Sequence, residues 1–492
     1  MYTASDPLIK AEKDTEEYRD HIGTINAQGK RAWVYAKKPK GRFHNWRSLV
    51  SYVLLALMFA GPHVRIHEQP LLLLNVLERK FILFGFVFWP QDFYLVVLAL
   101  LTMILTIVLF TSVLGRIWCG WTCPQTVFME FLFRKIEYLI EGDFQQQKQL
   151  AQAPWTAGKI ARKGGKIAVF YILSFAVANT FLAYIIGTHE LFKIATDPIS
   201  MHIGGFVAIN LFTIVFFLVF ARFREQVCHF ACPYGRFQSA LVDNDTISVT
   251  YDFKRGEKRA SIGNRKKMGL GLAGPVGQIV TGGVDNDFGD CIDCGACVVV
   301  CPSGIDIRNG IQLECIQCTA CIDACNKMMD AVRKPHGLIR YTSYNTVKDG
   351  RKALFKYRTL GYLLVWLAVL SVFVTLLLRR ENIETVLLRQ PGMLAQKFPD
   401  GSMGNLYSLK IFNKTFDRQT AEVRLRQLVG DIRFIDRLEE IGPQKVAEVR
   451  FFIALRPESV QGTSMPVELE IWSNGKWLRT KKTVFVVEAP RS

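Results

Sequence analysis

Histidine and cysteine are scarce in this chain, with 8 and 12 of them among 492 residues. No cysteine follows Cys325, so the last third of the chain can hold neither a disulfide nor a thiolate site. Charge is thin as well: Asp, Glu, Lys and Arg make up 21% against 50% hydrophobic residues. That balance excludes an all-soluble protein unless the apolar residues are clustered, and the length excludes one small domain. The first 47 residues are polar and close on a basic cluster of Lys30, Arg31, Lys37, Lys38, Lys40, Arg42 and Arg47, so they are expected to form a cytoplasmic arm, being too long and charged an approach for a cleaved secretory signal. The net charge of +18 comes with no motif that reads RNA or DNA, and multi-span membrane proteins carry surplus Lys and Arg on their cytoplasmic side.

The apolar residues do cluster. Stretches at Ser48 to Val64, Phe93 to Gly115, Ile167 to Gly187, Ile203 to Ala221 and Leu360 to Leu378 approach or exceed the ~18 residues that span a bilayer core. A further apolar stretch, Leu71 to Trp89, has Glu78, Arg79 and Lys80 at its centre. Each of those charges costs about 2.5 to 3.5 kcal/mol in mid-membrane, so the stretch reads as an interfacial or re-entrant segment. The loop from Arg116 to Lys166 is rich in Lys and Arg, whereas Thr188 to His202 carries only Lys193. The first is therefore expected inside, with the N-terminus, and the residues beyond Leu378 outside. Those last residues change to short alternating segments (Leu406 to Phe412, Glu422 to Leu428, Val446 to Leu455, Val467 to Trp472, Thr483 to Val487), the pattern of an antiparallel β-sandwich.

The cysteines occupy four motifs. Cys291-x2-Cys294-x2-Cys297-x3-Cys301-Pro302 has the bacterial ferredoxin spacing, and Cys315-x2-Cys318-x2-Cys321-x3-Cys325 repeats it. Three closely spaced thiolates wrap one face of an iron–sulfur cube while the distant fourth serves the other cube. The expected ligand sets are Cys291, Cys294, Cys297 and Cys325 for one [4Fe–4S] cluster, and Cys315, Cys318, Cys321 and Cys301 for the second. Zinc has no use for doubled eight-thiolate spacing, and a cytoplasmic location disfavours disulfides. Asn326 stands where the standard run has proline, which touches the local turn and not ligation.

The other two motifs form an internal repeat: Trp118-Cys119-Gly-Trp-Thr-Cys123-Pro124 matches Val227-Cys228-His-Phe-Ala-Cys232-Pro233, each copy after the inner end of an outside-to-inside span. Soft thiolates in such pairs suit Cu(I), another cluster or a reversible disulfide. Spans two to five contain no histidine, which removes the usual haem ligand. His63 and His67 could meet His189, Met201 or His202 on the outer face as a metal or quinone site. His229 is a candidate ligand inside the second pair. Asn179 and Asn210 are expected to bond between helices.

Together these motifs, with the block from Gly289 through Cys301-Pro302-Ser-Gly-Ile-Asp306-Ile-Arg308-Asn-Gly310 to Glu314-Cys315-Ile-Gln-Cys318, resemble the family of the cytochrome c oxidase accessory protein CcoG, also called FixG or RdxA. The C-terminal sandwich is similar to that family's immunoglobulin-like extension. The resemblance implies a role in maturing a cbb3-type oxidase by reducing Cu(II) to Cu(I), with oxidase-assembly and copper-delivery proteins and a cytoplasmic electron donor as partners, and a homodimer left open. The expected fold is a multi-domain membrane protein: an arm (1–47), a four-span membrane domain with the paired motifs (48–222), a cytoplasmic dicluster ferredoxin domain (223–359), a fifth span (360–379) and a periplasmic immunoglobulin-like β-sandwich (380–492). Its location is a bacterial inner membrane. Two [4Fe–4S] clusters are the expected cofactors, with copper at Cys119, Cys123, Cys228 and Cys232 as the reacting site. A quinol dehydrogenase of the nitrate- or nitrous-oxide-pathway type and a non-enzymatic assembly scaffold are the rival readings.

Overall fold

The computed structural model describes residues 30–66, 69–75, 80–83, 86–89, 92–267, 288–350, 356–390, 395–426, 430–436, 440–459 and 462–487. Its apolar stretches fold as helices α1 (Arg42–Ala60), α2 (Phe93–Leu114), α3 (Ala157–Ile186), α4 (Ile203–Phe223) and α5 (Tyr357–Leu378). Four of them, α2 to α5, are long and apolar enough to cross a membrane among the described residues. They keep most of their apolar side chains uncovered, which only lipid accommodates over such lengths.

The first helix departs from expectation. It starts at Arg42, takes in three charged or histidine residues (Arg42, His44, Arg47) and stops at Gly61-Pro62, so its purely apolar part is shorter than a spanning segment. Helix α3 begins ten residues before the expected Ile167, because the basic side chains on its extra turns are paired: Lys163 with Glu141 (3.0 Å), and Lys166 with Glu137 (3.2 Å) and Glu141 (2.8 Å). It ends at Gly187, whose positive φ of 87° suits glycine and takes the chain out of the helix. Asn179 and Asn210 do not bridge helices. Each side chain donates to the carbonyl one turn back in its own helix, to Phe175 and Phe206, the nearest acceptors in an apolar surrounding.

The Leu71 to Trp89 stretch is not a span. Its described part is extended, with Lys80–Leu83 and Phe86–Phe88 paired as an antiparallel hairpin. Phe86 packs on Phe416 and Trp89 on Phe412, both edge to face.

The C-terminal unit is a two-sheet sandwich of β1 (Ile383–Arg389), β2 (Met403–Asn413), β3 (Ala421–Arg426), β4 (Gly430–Phe434), β5 (Val446–Leu455), β6 (Ser464–Ser473) and β7 (Lys476–Val486). One sheet runs β4-β5-β2-β1 with Gln396–Lys397 on β2, and the other β3-β6-β7. Alternate residues fill the core: Tyr407, Leu409 and Ile411 from β2, Phe451 and Ile453 from β5, Val467, Leu469 and Ile471 from β6. Strands β1 and β4 lie outside the alternating segments that the sequence marks.

Candidate functional site

Between the strand pair Ser248–Tyr251 and Ile339–Thr342 the chain carries the eight ferredoxin cysteines. Both runs adopt the same backbone. Asp293 and Gly295 flank Cys294 with φ of 47° and 66°, and Gln317 and Thr319 flank Cys318 with φ of 54° and 63°. Three of these four are not glycine, and a left-handed residue with a side chain costs about 1 to 2 kcal/mol, so something held in common must repay it. Left-handed turns of this kind aim successive N–H groups into a concave anion site. Consistent with that, the N–H of Gln317 faces the Cys315 thiol, that of Ala320 faces Cys318, and those of Ser303 and Ile305 face Cys301.

Two small cavities result. One is lined by Cys291, Cys294, Cys297 and Cys325. The other is lined by Cys301, Cys315, Cys318 and Cys321, with Cys297 lining both. Burial pushes the Cys297 and Cys325 thiols up to about 12 and Cys315 up to about 11. Among the described residues no three His, Cys, Asp or Glu side chains converge on one point as a single ion demands. Zinc would draw four thiolates to about 2.3 Å of one centre, whereas a four-iron cube takes one thiolate at each of four separated corners. Thiols around a void, with N–H groups aimed at sulfur, fit the cube. Asn326 has a role here too: its Oδ1 accepts from the N–H of Gly337 at 3.1 Å and closes the loop after the last cysteine.

The two Cys-x3-Cys-Pro copies are equivalent in three dimensions. In each, the first cysteine sits in a short helical turn (Ile117–Trp121, Val227–Ala231), and the second is an extended residue capping a new helix with proline at its first position (Pro124–Val127, Pro233–Leu241). The copies interlock. Gln238 Nε2 donates to Cys119 Sγ at 3.1 Å, Arg116 Nη2 to the carbonyl of Gly235 at 3.3 Å, and Arg224 Nη2 to Glu137 at 2.7 Å. Gly235 lies so close to the Cys228 carbonyl that an added Cβ would meet it at 2.2 Å. The two copies lie close enough for their thiols to influence one another. Burial pushes Cys119 up to about 11, with Cys123 and Cys232 adding to it; it pushes Cys228 up to about 12, with Cys123, Cys119 and Cys232 adding.

This tetrad rests on the second cysteine run. Arg47, 2% exposed, donates Nε to the Gly120 carbonyl at 2.8 Å and Nη1 to the Cys318 carbonyl at 2.9 Å. Trp121 Nε1 donates to the Tyr341 hydroxyl, which donates to the Gln317 carbonyl. A third small cavity is lined by Cys228, His229, Met129, Glu130, Arg224 and Glu225 among others. The sequence reading missed Arg47, Arg116, Gln238 and Tyr341, whose roles depend on partners far along the chain. His63 and His189 are exposed, His202 faces Asp197 at 3.0 Å, and Met201 is 71% exposed. No outer metal group forms among the described residues, and His67 lies outside them.

Comparison with known proteins agrees with these features. A family model described as "4Fe-4S dicluster domain" matches residues 223–344, one described as "4Fe-4S binding domain" matches 96–142, and one described as "IG-like fold at C-terminal of FixG" matches 373–488. Protein RdxB and Protein RdxA of Cereibacter sphaeroides are 35% and 34% identical to it, over 80% and 77% of this chain and 81% and 79% of their own. Nitrogen fixation protein FixG of Rhizobium meliloti is 31% identical over 87% of both chains. The chain therefore belongs to the FixG/RdxA family, as an iron–sulfur electron-transfer protein whose apolar helices mark it for a membrane.

Proposed function

We propose that this protein is a cupric reductase of a bacterial inner membrane, serving the assembly of a cbb3-type cytochrome oxidase. Cys291, Cys294, Cys297 and Cys325 hold one [4Fe–4S] cluster, and Cys301, Cys315, Cys318 and Cys321 the other. When bound, the two clusters supply one-electron storage and transfer, each electron that leaves turning one Cu(II) into Cu(I). The electrons come from a one-electron reductant in the cytoplasm, for which dithionite substitutes in vitro.

The observation that carries the reading is the Arg47 bridge. One guanidinium binds the carbonyl between the first cysteine pair (Gly120) and the carbonyl of Cys318. That bridge, with the Trp121–Tyr341–Gln317 chain of hydrogen bonds, keeps the Cys-x3-Cys-Pro pairs beside the second cysteine run, which supports reading them as the exit toward copper. Soft sulfur favours Cu(I) over hard-ligand metals, and His229 and Met129 beside Cys228 add two more soft or borderline donors to the same wall. The loop charges support clusters on the cytoplasmic face and the β-sandwich outside. The domains then run 1–47, 48–222, 223–359, 360–379 and 380–492.

The test is anaerobic stopped-flow oxidation of the dithionite-reduced protein by Cu(II), with Cu(I) trapped by a chromogenic chelator. The parent should turn over. Replacing Cys119, Cys123, Cys228 and Cys232 together by Ala should abolish copper-dependent oxidation while the ferredoxin cluster spectrum remains. Clusters that ignore copper but respond to a quinol analogue would move the protein to the quinol dehydrogenase class. Reporter fusions after residues 222 and 385 should score cytoplasmic and periplasmic, and equal scores would remove the assigned sidedness.

A further inference from the structure

The strand pair Ser248–Tyr251 and Ile339–Thr342 runs under both ferredoxin cavities. Its register sets Val249 opposite Tyr341 and Tyr251 opposite Ile339, so the alternation of a strand puts these four side chains on one face. Val249 lines the second cavity, and Tyr251 and Ile339 line the first. Each strand thus brings one tyrosine to the cysteine runs, and the two hydroxyls are used differently. That of Tyr341 accepts from Trp121 Nε1 at 3.1 Å and donates to the Gln317 carbonyl at 3.2 Å. Tyr251 is 3% exposed, and its shielded hydroxyl closes no complete hydrogen bond with a protein group. The groups that face it are the Cys291 thiol and the Glu257 carboxyl. A Cβ on Gly256 would meet this hydroxyl at 2.1 Å, so glycine there leaves it its place.

We propose that the Tyr251 hydroxyl donates to the sulfur of Cys291 when that cysteine holds the first [4Fe–4S] cluster, and thereby sets the potential at which the cluster takes up an electron. A buried hydroxyl without an acceptor is costly, and a thiolate on iron is an acceptor at the right place. Of the two groups that face Tyr251, Glu257 is 39% exposed and already bound by Arg259 Nε at 3.1 Å, so water and a guanidinium serve it. Cys291 is buried, with little water to hydrogen-bond its sulfur. Burial, with Cys291 and Glu257 adding to it, holds the phenol far above its ordinary range, so the hydroxyl keeps its proton and acts only as a donor. Hydrogen bonds to cluster sulfur favour the reduced, more negative state and raise the potential. The first cluster is also the outer one: of the twelve cysteines only Cys294 is exposed, whereas the second run adjoins the Cys-x3-Cys-Pro pairs through Arg47. The first cluster then receives each electron from the donor, which is oxidised as the cluster is reduced, and Tyr251 lets a weaker one-electron reductant fill it. The inference rests on the electron-exit reading for this purpose, but the hydrogen bond stands independently.

The experiment is redox titration of the full chain purified anaerobically, followed by electron paramagnetic resonance, on the parent and on Tyr251→Phe, which keeps the ring and removes the hydroxyl. The titration is repeated in Cys301→Ala, where the first cluster is the intact one. Tyr251→Phe should lower the first cluster's potential, by about 59 mV if the one-electron equilibrium shifts tenfold, and move the second far less. Resonance Raman spectra in light and heavy water should show iron–cysteine stretches that shift on exchange in the parent and shift less in Tyr251→Phe. Gly256→Ala reaches the same hydroxyl from the other side and serves where Tyr251→Phe does not accumulate: it too should lower the first potential, and an unchanged value there overturns the proposal. An unchanged first potential in Tyr251→Phe assigns the hydroxyl to Glu257 and overturns it as well, as does an equal fall at both clusters, the mark of general loosening. A parent that ignores Cu(II) while Tyr251→Phe still lowers the first potential would sink the copper reading alone. Copper-driven oxidation with an unmoved first potential would sink this proposal alone.

Discussion

Arg47 and Cys318 are 271 residues apart in sequence, yet the guanidinium of the first binds the backbone carbonyl of the second at 2.9 Å inside a buried contact. The same side chain lies over the Phe131 ring and holds the Gly120 carbonyl. A cation fixed beside cluster ligands raises the reduction potential of what they hold, since net charge and hydrogen bonding set it. Arg47→Met should therefore lower the potential of the cluster at Cys301, Cys315, Cys318 and Cys321, by on the order of 60 mV if the equilibrium shifts tenfold. It should also leave two carbonyls unpaired at about 1 to 3 kcal/mol each. Redox titration followed by electron paramagnetic resonance measures the first effect. Arg47→Lys keeps the charge but not the fork and should restore most of the potential; an unchanged potential in Arg47→Met would reduce the residue to a structural strut.

Asp323 offers a second link. It sits between Cys321 and Cys325, and its carboxylate accepts the backbone N–H groups of Phe43 (3.2 Å) and His44 (2.8 Å). Helix α1 has no cap of its own, since Gly41 precedes it, and a Cβ on Gly41 would meet Asp323 at 2.3 Å. The cap comes from another part of the chain, so Asp323→Ala should cost about 0.5 to 2 kcal/mol. Hydrogen exchange at Phe43 to Arg47 should rise while the Cys325 cluster spectrum stays. Gly41→Ala should cost at least as much through the clash.

How far these features could be read beforehand depends on whether they are local. Cysteine spacing is a one-dimensional signal that stands out in the bare sequence, and the two runs line separate cavities. The alternation of Tyr407, Leu409 and Ile411 likewise marks a core-facing strand. Strand β4, with Asp431 and Arg433 in five residues, carries too little apolar signal to stand out. The stretch from Leu71 to Trp89 is apolar on both sides of its Glu78–Lys80 charges, which hides period two, and its aromatic rings find Phe412 and Phe416 more than 300 residues later. Arg47 reads as one more basic residue of an arm because its acceptors are carbonyls, which every residue has.

In the sandwich unit, Lys414 is buried with Asp92 at 2.6 Å and Glu384 at 2.7 Å, and Arg380 reaches Asp92 at 2.8 Å. Removing one member of a buried charge pair costs about 3 to 5 kcal/mol, because the partner stays desolvated. Lys414→Met should lower the unfolding midpoint of this unit clearly. Adding Asp92→Asn should return part of the loss, though Arg380 then lacks its carboxylate. A single variant as stable as the parent would mean water reaches the site.

Glu137 makes a pH-dependent contribution. Burial by itself disfavours its charged form, but Arg224 and Lys166 hold the carboxyl down at about 2 from an ordinary 4.5. A carboxyl lowered on folding adds stability above its unfolded value and loses it as the pH falls through the folded one. The contribution is thus full above about pH 4.5 and fades toward pH 2. Glu137→Gln should destabilise at neutral pH by about 3 to 5 kcal/mol, as for a broken buried pair. The gap between parent and variant should narrow as the pH falls from 5 toward 2, followed by thermal unfolding in detergent. A gap that stays constant would show that the carboxylate is not what Arg224 needs.

The crossed ligation of the ferredoxin pair gives the sharpest genetic test. Cys301 follows Cys297 by four residues, but it lines the cavity with Cys315, Cys318 and Cys321, while Cys325 lines the one with Cys291, Cys294 and Cys297. Cys301→Ala should therefore damage the cluster of the second run and spare that of its own neighbours, and Cys325→Ala should do the reverse. Cys297, which touches both cavities, should on replacement disturb the first cluster directly and the second only through packing. Electron paramagnetic resonance of the reduced single variants separates the cases, because two interacting clusters give a broadened spectrum and one alone does not. Loss of the Cys291, Cys294 and Cys297 cluster in Cys301→Ala, with the other intact, would mean that each run keeps its own fourth cysteine and that the two cavities are filled differently from how they are lined.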